Sequence, residues 1–282
     1  MQSAALTPAA GVRRGVPHAL QALRAIVLRE VLKFSQQTGR LVSALVRPLL
    51  WLAVFAAGFR NVFGVAIVEP YDTYIPYDVY IAPGLVGMVL LFNGMQSSLA
   101  MVYDREMGMM RLLLTAPLPR WWLLFCKLAA GTLLSVLQAY AFLLVAAAFG
   151  VEIPAGGWLA VLPALAAGGL MLGALGLLLS VYVKQLENFA GTMNFVIFPM
   201  FFISSALYPL WKLRESGAEI VWHIAQWNPF THAVELIRYA LYGRFEPLAC
   251  TVVLGSAALF FIAATLGYDP QRGLLKRSGR PG

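Results

Sequence analysis

Residues 104–120 read Asp104-Arg105-Glu106-Met107-Gly108-Met109-Met110-Arg111-Leu112-Leu113-Leu114-Thr115-Ala116-Pro117-Leu118-Pro119-Arg120. Charges gather here more densely than anywhere else in the interior of the chain, between two apolar segments long enough to cross a bilayer. Arg111 follows the opening charges by more than a helical turn, and Leu112, Leu113 and Leu114 supply an apolar side. Pro117 and Pro119 end any helix, because proline lacks an amide hydrogen and disfavours helix at the residue before it. The pattern predicts a short amphipathic helix at a membrane surface, in a loop that meets something in water.

Working outward, the 282 residues are 60% hydrophobic and 12% charged, with a mean hydropathy of +0.73. Soluble domains carry about 25% charged residues, so this is a polytopic membrane protein. At about 20 apolar residues per crossing, six spans are expected near 41–60, 80–103, 122–149, 157–183, 188–208 and 247–268. Before them, Leu20, Leu23, Val27, Val31 and Phe34 recur at three- and four-residue steps between Arg24, Arg29 and Lys33. Segment 17–37 thus reads as an amphipathic helix in the headgroup plane. The predicted fold is all-α: six transmembrane helices, an interfacial helix, and an outer-side re-entrant helical hairpin before the last span. Residues 1–16 are expected to be disordered, 17–268 to form one membrane domain, and 269–282 a basic tail. Arg13 and Arg14 precede a mixed polar stretch, so no signal peptide is expected. Arg47, near the start of the first span, can snorkel to the headgroups.

The net charge of +8 sets topology and does not indicate a nucleic-acid partner. With the segments between spans assigned alternately, one side holds sixteen Lys and Arg and the other five. The positive-inside rule then places both termini and the 104–120 loop in the cytoplasm. Segment 208–246 is too interrupted to span. Trp211, Trp222 and Trp227 are spaced as interfacial anchors, Asn228-Pro229 marks a turn, and Thr231 to Tyr242 reads as a short helix carrying Glu235 and Arg238. Irregular backbone at this position must be covered by protein or lie at an interface.

Several chemistries are excluded. There is no GxxxxGK[ST] phosphate loop; the run from Gly168-Gly169 to Gly176 lies inside a span and suits close helix packing. His18, His223 and His232 fall in separate segments without metal-ligand spacing, and no Gly-x-Ser-x-Gly or His-Glu-x-x-His pattern occurs. Cys126 and Cys250 lie in apolar stretches and read as small core residues rather than a disulfide. The spans carry almost no ionisable residue near their centres, unlike an ion-coupled carrier. Their polar positions include Asn93, Gln96, Ser97, Ser98, Gln138 and Asn194, which either bond between packed helices or line a path for an amphiphile. Energy must therefore come from a partner.

Four stretches carry a resemblance to permeases of the ABC-2-type exporter family, the branch with drug and lipo-oligosaccharide exporters. Tyr80-Ile81-Ala82-Pro83-Gly84-Leu85 resembles the proline-glycine opening of the family's second span. Asp104 to Leu113, followed by Thr115-Ala116-Pro117, resembles its charged loop. Phe202-Ile203-Ser204-Ser205-Ala206-Leu207-Tyr208-Pro209 resembles the small-residue end of the fifth span. Asn228-Pro229-Phe230-Thr231-His232-Ala233-Val234-Glu235-Leu236-Ile237-Arg238 resembles the asparagine-proline helix before the sixth. Asp104 replaces the common glutamate, Met109 and Met110 the usual threonine-leucine, and Ser205 a frequent glycine.

The resemblance implies a dimerising permease, as homodimer or with a paralogue, in a bacterial inner membrane and energised by a separate cytoplasmic ATPase. ATP and Mg would bind that partner, and this chain would hold no cofactor and no metal. The 104–120 loop would be the coupling helix, with Asp104, Arg105, Glu106, Gly108, Arg111 and Leu112 meeting the ATPase. Pro83, Gly84, Asn93, Gln96, Asn194, Glu235 and Arg238 are candidates for the pathway or its gate. Pro83-Gly84 could equally be a kink, and Glu235 with Arg238 a pair stabilising a surface helix. The cargo expected is drug-like or a lipid-linked saccharide. The contrasting reading is a membrane enzyme acting on lipid at the outer face through His223, His232, Glu235 and Arg238.

Overall fold

A computed structural model describes residues 16–36, 38–59, 69–71, 74–106, 119–183 and 185–268 of the chain. The described residues are helical throughout apart from turns. We label the helices α1 (Val16–Gln36), α2 (Thr38–Phe59), α3 (Tyr77–Glu106), α4 (Arg120–Ala148), α5 (Gly157–Tyr182), α6 (Leu186–Phe202), α7 (Leu210–Glu215), α8 (Glu219–Trp227), α9 (Pro229–Leu241) and α10 (Pro247–Gly267). Four of them are long and apolar enough to cross a membrane: Tyr77–Tyr103, Arg120–Ala148, Gly157–Tyr182 and Pro247–Gly267. The helices α2 and α6, where the first and fifth spans were expected, are not among these four.

The centre is α3, which packs on α2, α4, α5, α6 and α9. Its junction with α5 is made of small residues. A methyl group added at Gly94 would lie 2.9 Å from the Gly173 nitrogen, and one at Gly176 2.8 Å from the Gly94 carbonyl oxygen. Such backbone proximity is how helices associate where lipid leaves no hydrophobic force between them. The glycine run therefore serves packing, as its place inside a span suggests. Outward faces are apolar: Leu254, Leu259, Ile262 and Leu266 on α10, and Phe195 and Phe198 on α6, are exposed.

The bundle has two ends. At one, the start of α1 meets the start of α4, where the Trp122 Nε1–H donates to the Ala19 carbonyl at 3.1 Å, and α1 then runs along α4 until Glu30, Lys33 and Phe34 stand near Gly131, Leu134 and Gln138. Leu20, Leu28 and Leu32 of α1 stay exposed. At the far end the chain turns between α6 and α7 and runs through α8 and α9. The fifth expected span, 188–208, is shorter as a helix: α6 stops at Phe202, and 203–208 form a turn. Two causes are visible. The Asn228 Nδ2 donates to the Met200 and Ile203 carbonyls at 2.8 and 2.6 Å, claiming acceptors at the helix end. Pro209 then disfavours helix at the residue before it.

Candidate functional site

The far end holds the densest polar arrangement among the described residues, built on Arg238 of α9. Asn228 caps α9, its Oδ1 accepting from the Phe230 amide at 3.0 Å, with Pro229 in the first turn. Both are favoured helix-start residues. The Thr231 hydroxyl donates to the Ala225 carbonyl at 2.7 Å, tying α9 to α8. Thus fixed, α9 aims a fully buried Arg238 at the 203–208 turn. Its Nη2–H donates to the Ser205 carbonyl at 2.8 Å, its Nη1–H to Glu235, and its guanidinium carbon sits 4.3 Å from the centre of the Tyr80 ring.

The turn is held from α3 as well. The Tyr80 hydroxyl donates to the same Ser205 carbonyl at 3.1 Å, and the Tyr77 hydroxyl to the Leu207 carbonyl at 2.7 Å. Gly84, one turn further along α3, lets the turn approach. A methyl group there would stand 2.5 Å from the Ala206 carbonyl oxygen. Pro83 is buried within a continuous α3 and cannot donate to the Val79 carbonyl, as any other residue would. Tyr71 packs edge-on against Tyr242 at 4.8 Å. Burial pushes its phenol above the usual range, only partly offset by the Arg238 charge, so it stays neutral.

A guanidinium is always charged and offers donors in a fixed fork. Here one donor group meets a carboxylate, another a main-chain carbonyl, and an aromatic face covers the plane. The arrangement cross-links three elements that are distant in sequence. Beside it the Ser205 hydroxyl is buried with no hydrogen-bond partner among the described residues. The His232 Nε2 lies 3.0 Å from the Gln226 carbonyl oxygen, His223 packs on Trp222 with ring centres 4.7 Å apart, and Glu235 is taken by Arg238. Of the four residues of the enzyme reading, Glu235 and Arg238 are thus engaged with each other and His232 with a main-chain carbonyl, while His223 is exposed. No group of three or more His, Cys, Asp or Glu able to hold a metal occurs among the described residues. Cys126 and Cys250 are free thiols.

The sequence-derived site residues divide sharply. Gly84, Glu235 and Arg238 come together in this knot, with Pro83 beside it. Asn93 is buried on α3 closer to the middle of the bundle, Gln96 is half-buried a turn further on, and Asn194 is on the exposed face of α6. Asp104, Arg105 and Glu106 close α3, while Gly108, Arg111 and Leu112, with the rest of 107–118, lie outside the described residues. So do the expected disordered start and basic tail, apart from Val16. Sequence reasoning missed Tyr71, Tyr77 and Tyr80 as anchors, and treated Asn228 only as a turn residue. A signal was present: Tyr71, Tyr74, Tyr77 and Tyr80 recur every third residue up to the proline-glycine pair.

Three of the four stretches that carried the resemblance thus meet at one point. This is a polytopic helical protein of the transport-permease class, its far end cross-linked through Arg238. Residues 21–242 match the ABC-2 type transporter family, and the chain belongs to it. It is 29% identical over 225 residues to the ycf38 protein of Porphyra purpurea, whose name marks it as a candidate transport permease; the match covers 78% of this chain and 74% of that one. The Cyanophora paradoxa ycf38 protein is likewise 29% identical over 226 residues, with the same coverage. Nodulation protein J of Rhizobium leguminosarum bv. viciae is 32% identical over 95 residues, covering 33% of this chain and 34% of that protein.

Proposed function

We propose that this chain is the membrane subunit of an ATP-driven exporter, moving a drug-like molecule or a lipid-linked saccharide out of the cytoplasm or inner leaflet. The observation that carries this reading is the family match across 21–242, joined to a chain with no nucleotide-binding loop of its own. In this reading α2 and α6 complete six spans, and α7 to α9 form the outer-side hairpin. The protein resides in a bacterial inner membrane with both termini cytoplasmic. Two copies, or one with a paralogue, form the translocating unit.

Coupling runs through the loop that begins with Asp104. A cytoplasmic ATPase binding ATP and Mg docks there, with Glu106 and Arg111 as the charged contacts, Leu112 as the apolar one and Gly108 permitting close approach. Closure of the ATPase pair pushes on the loop and on α1, and the bundle shifts from inward- to outward-facing. At the far end, the Arg238–Glu235 pair holds the turn before α7 and serves as the outer gate's anchor.

The test uses inside-out vesicles holding the permease with its ATPase, supplied from the outside in turn with a nitrobenzoxadiazole-labelled glycolipid and with rhodamine 6G. ATP-dependent movement of either probe, abolished in Glu106→Ala/Arg111→Ala with insertion unchanged, supports the reading. Transport by the double variant at the wild-type rate removes the docking assignment. A lipid-modifying activity of the purified chain alone, without ATP, would favour the enzyme instead.

A further inference from the structure

A second polar feature lies away from the knot, between α1, α3 and α4. A cleft enclosing about 30 Å³ is lined by Glu30 and Lys33 of α1, Asn93 and Ser97 of α3, and Gln138 of α4. That is room for one or two water-sized groups, such as a single hydroxyl. Asn93 and Gln138 are more than nine-tenths buried. The Asn93 Nδ2 and the Gln138 Oε1 have no hydrogen-bond partner among the described residues. Thr132, whose hydroxyl is buried and unpartnered too, lines the adjoining part of the same space.

Their neighbours behave differently. The Ser98 and Ser135 hydroxyls donate back to carbonyls of their own helices, Gly94 at 3.1 Å and Gly131 at 2.9 Å. That is how a hydroxyl in a membrane helix satisfies itself. Two amides on adjacent helices that face one cleft without doing so have unmet donors and acceptors, and nothing in hydrocarbon can meet them. With about 1.5 Å rise per residue, Asn93 lies roughly 20 Å along α3 from its Glu106 end. The cleft therefore leads from the interfacial helix α1 toward the interior of the bundle.

We propose that Asn93 and Gln138 form a binding site for the neutral hydrogen-bonding group, a hydroxyl or an amide, of an amphiphile that reaches them beneath α1. The amides supply one donor and one acceptor, and the Glu30 and Lys33 charges at the α1 wall balance each other, so the lining has no net charge and favours a hydroxyl or amide over a cationic head group. Ser97 adds a hydroxyl beside them, and α1 forms the outer wall. The site deepens the exporter reading, on which it rests, by marking where cargo is first held.

The test labels the chain in lipid nanodiscs, without ATPase or ATP, using a dodecyl glucoside with a diazirine next to its head. A dodecyl trimethylammonium analogue serves as the contrast. Mass spectrometry is expected to find the glucoside on peptides spanning 93–100 and 131–138. Labelling should fall about tenfold in Asn93→Leu/Gln138→Leu, as for the loss of one to two hydrogen bonds. Ser97→Leu, which fills the cleft and spares both amides, should lower it as well. Equal labelling by both head groups overturns the site, as does unchanged labelling in either variant when it elutes as wild type. No labelling above background, meaning that the cleft holds water alone, overturns it too. Labelling at the cleft in a chain whose vesicles fail to transport would leave the site standing and remove the exporter reading.

Discussion

The helices α3 and α10 both read as spans, yet they are built for opposite surroundings. Of the most hydrophobic stretch of α3, 78% is buried inside the protein; of α10, 17%. The more apolar helix, α10, is the more exposed. A soluble protein would reverse this, because water drives its most apolar surface inward. Lipid exerts no such drive, so the inside is where glycines, serines and amides find partners, and the outside is simply apolar. Much of what distinguishes this chain from any other polytopic helical protein therefore lies along α3, from the tyrosines at its start to Asn93 and Ser97.

That contrast can be broken most strongly at Arg238, which anchors to α3 through Tyr80. Arg238→Ala leaves Glu235 without its partner inside protein and is expected to cost about 3–5 kcal/mol, read as a lowered unfolding midpoint in nanodiscs. Arg238→Lys keeps the charge but not the fork and should fall in between. An Arg238→Ala protein as stable as wild type would show that the knot is ornamental. Next comes Gly84→Val, which must displace the Ala206 backbone. We expect a loss of ~1–3 kcal/mol, as for other overpacked sites, in the same unfolding measurement. Asn228→Ala removes a helix cap and frees two carbonyls, for about 1–2 kcal/mol. On α10, Leu266→Ala lies on an exposed face and should change stability by less than ~0.5 kcal/mol. A large effect there would mean that α10 is covered by protein rather than lipid.

Much of this was legible in the residues. Helix positions followed from apolar run length, and the ends of α1, α4, α5 and α10 fall within two residues of the expected limits. The knot was only half legible. Glu235 and Arg238 stood out as charges three apart, but spacing alone could not tell a surface pair from a buried cross-link. Which it is depends on the Ser205 carbonyl and the Tyr80 ring, contacts across more than thirty and more than a hundred and fifty residues of chain. The early stop of α6 was legible only in part: Pro209 stands in the sequence, but the other cause, Asn228, is a distant side chain claiming main-chain carbonyls. Asn93 and Gln138 were visible as polar points in apolar runs. That they face one cleft depends on how α3 and α4 are rotated against each other.

In the proposed function energy enters at the end where α3 leads to α4, while the Arg238 knot holds the other end. The most direct check is the amount of ATPase that co-elutes with the tagged permease after gentle detergent extraction. We expect near-equimolar ATPase with wild type and with Arg238→Lys, and almost none with Glu106→Ala/Arg111→Ala, whose unfolding midpoint should match wild type. Full co-elution with the double variant, or loss of the ATPase on changing Arg238 alone in a folded protein, would contradict the division.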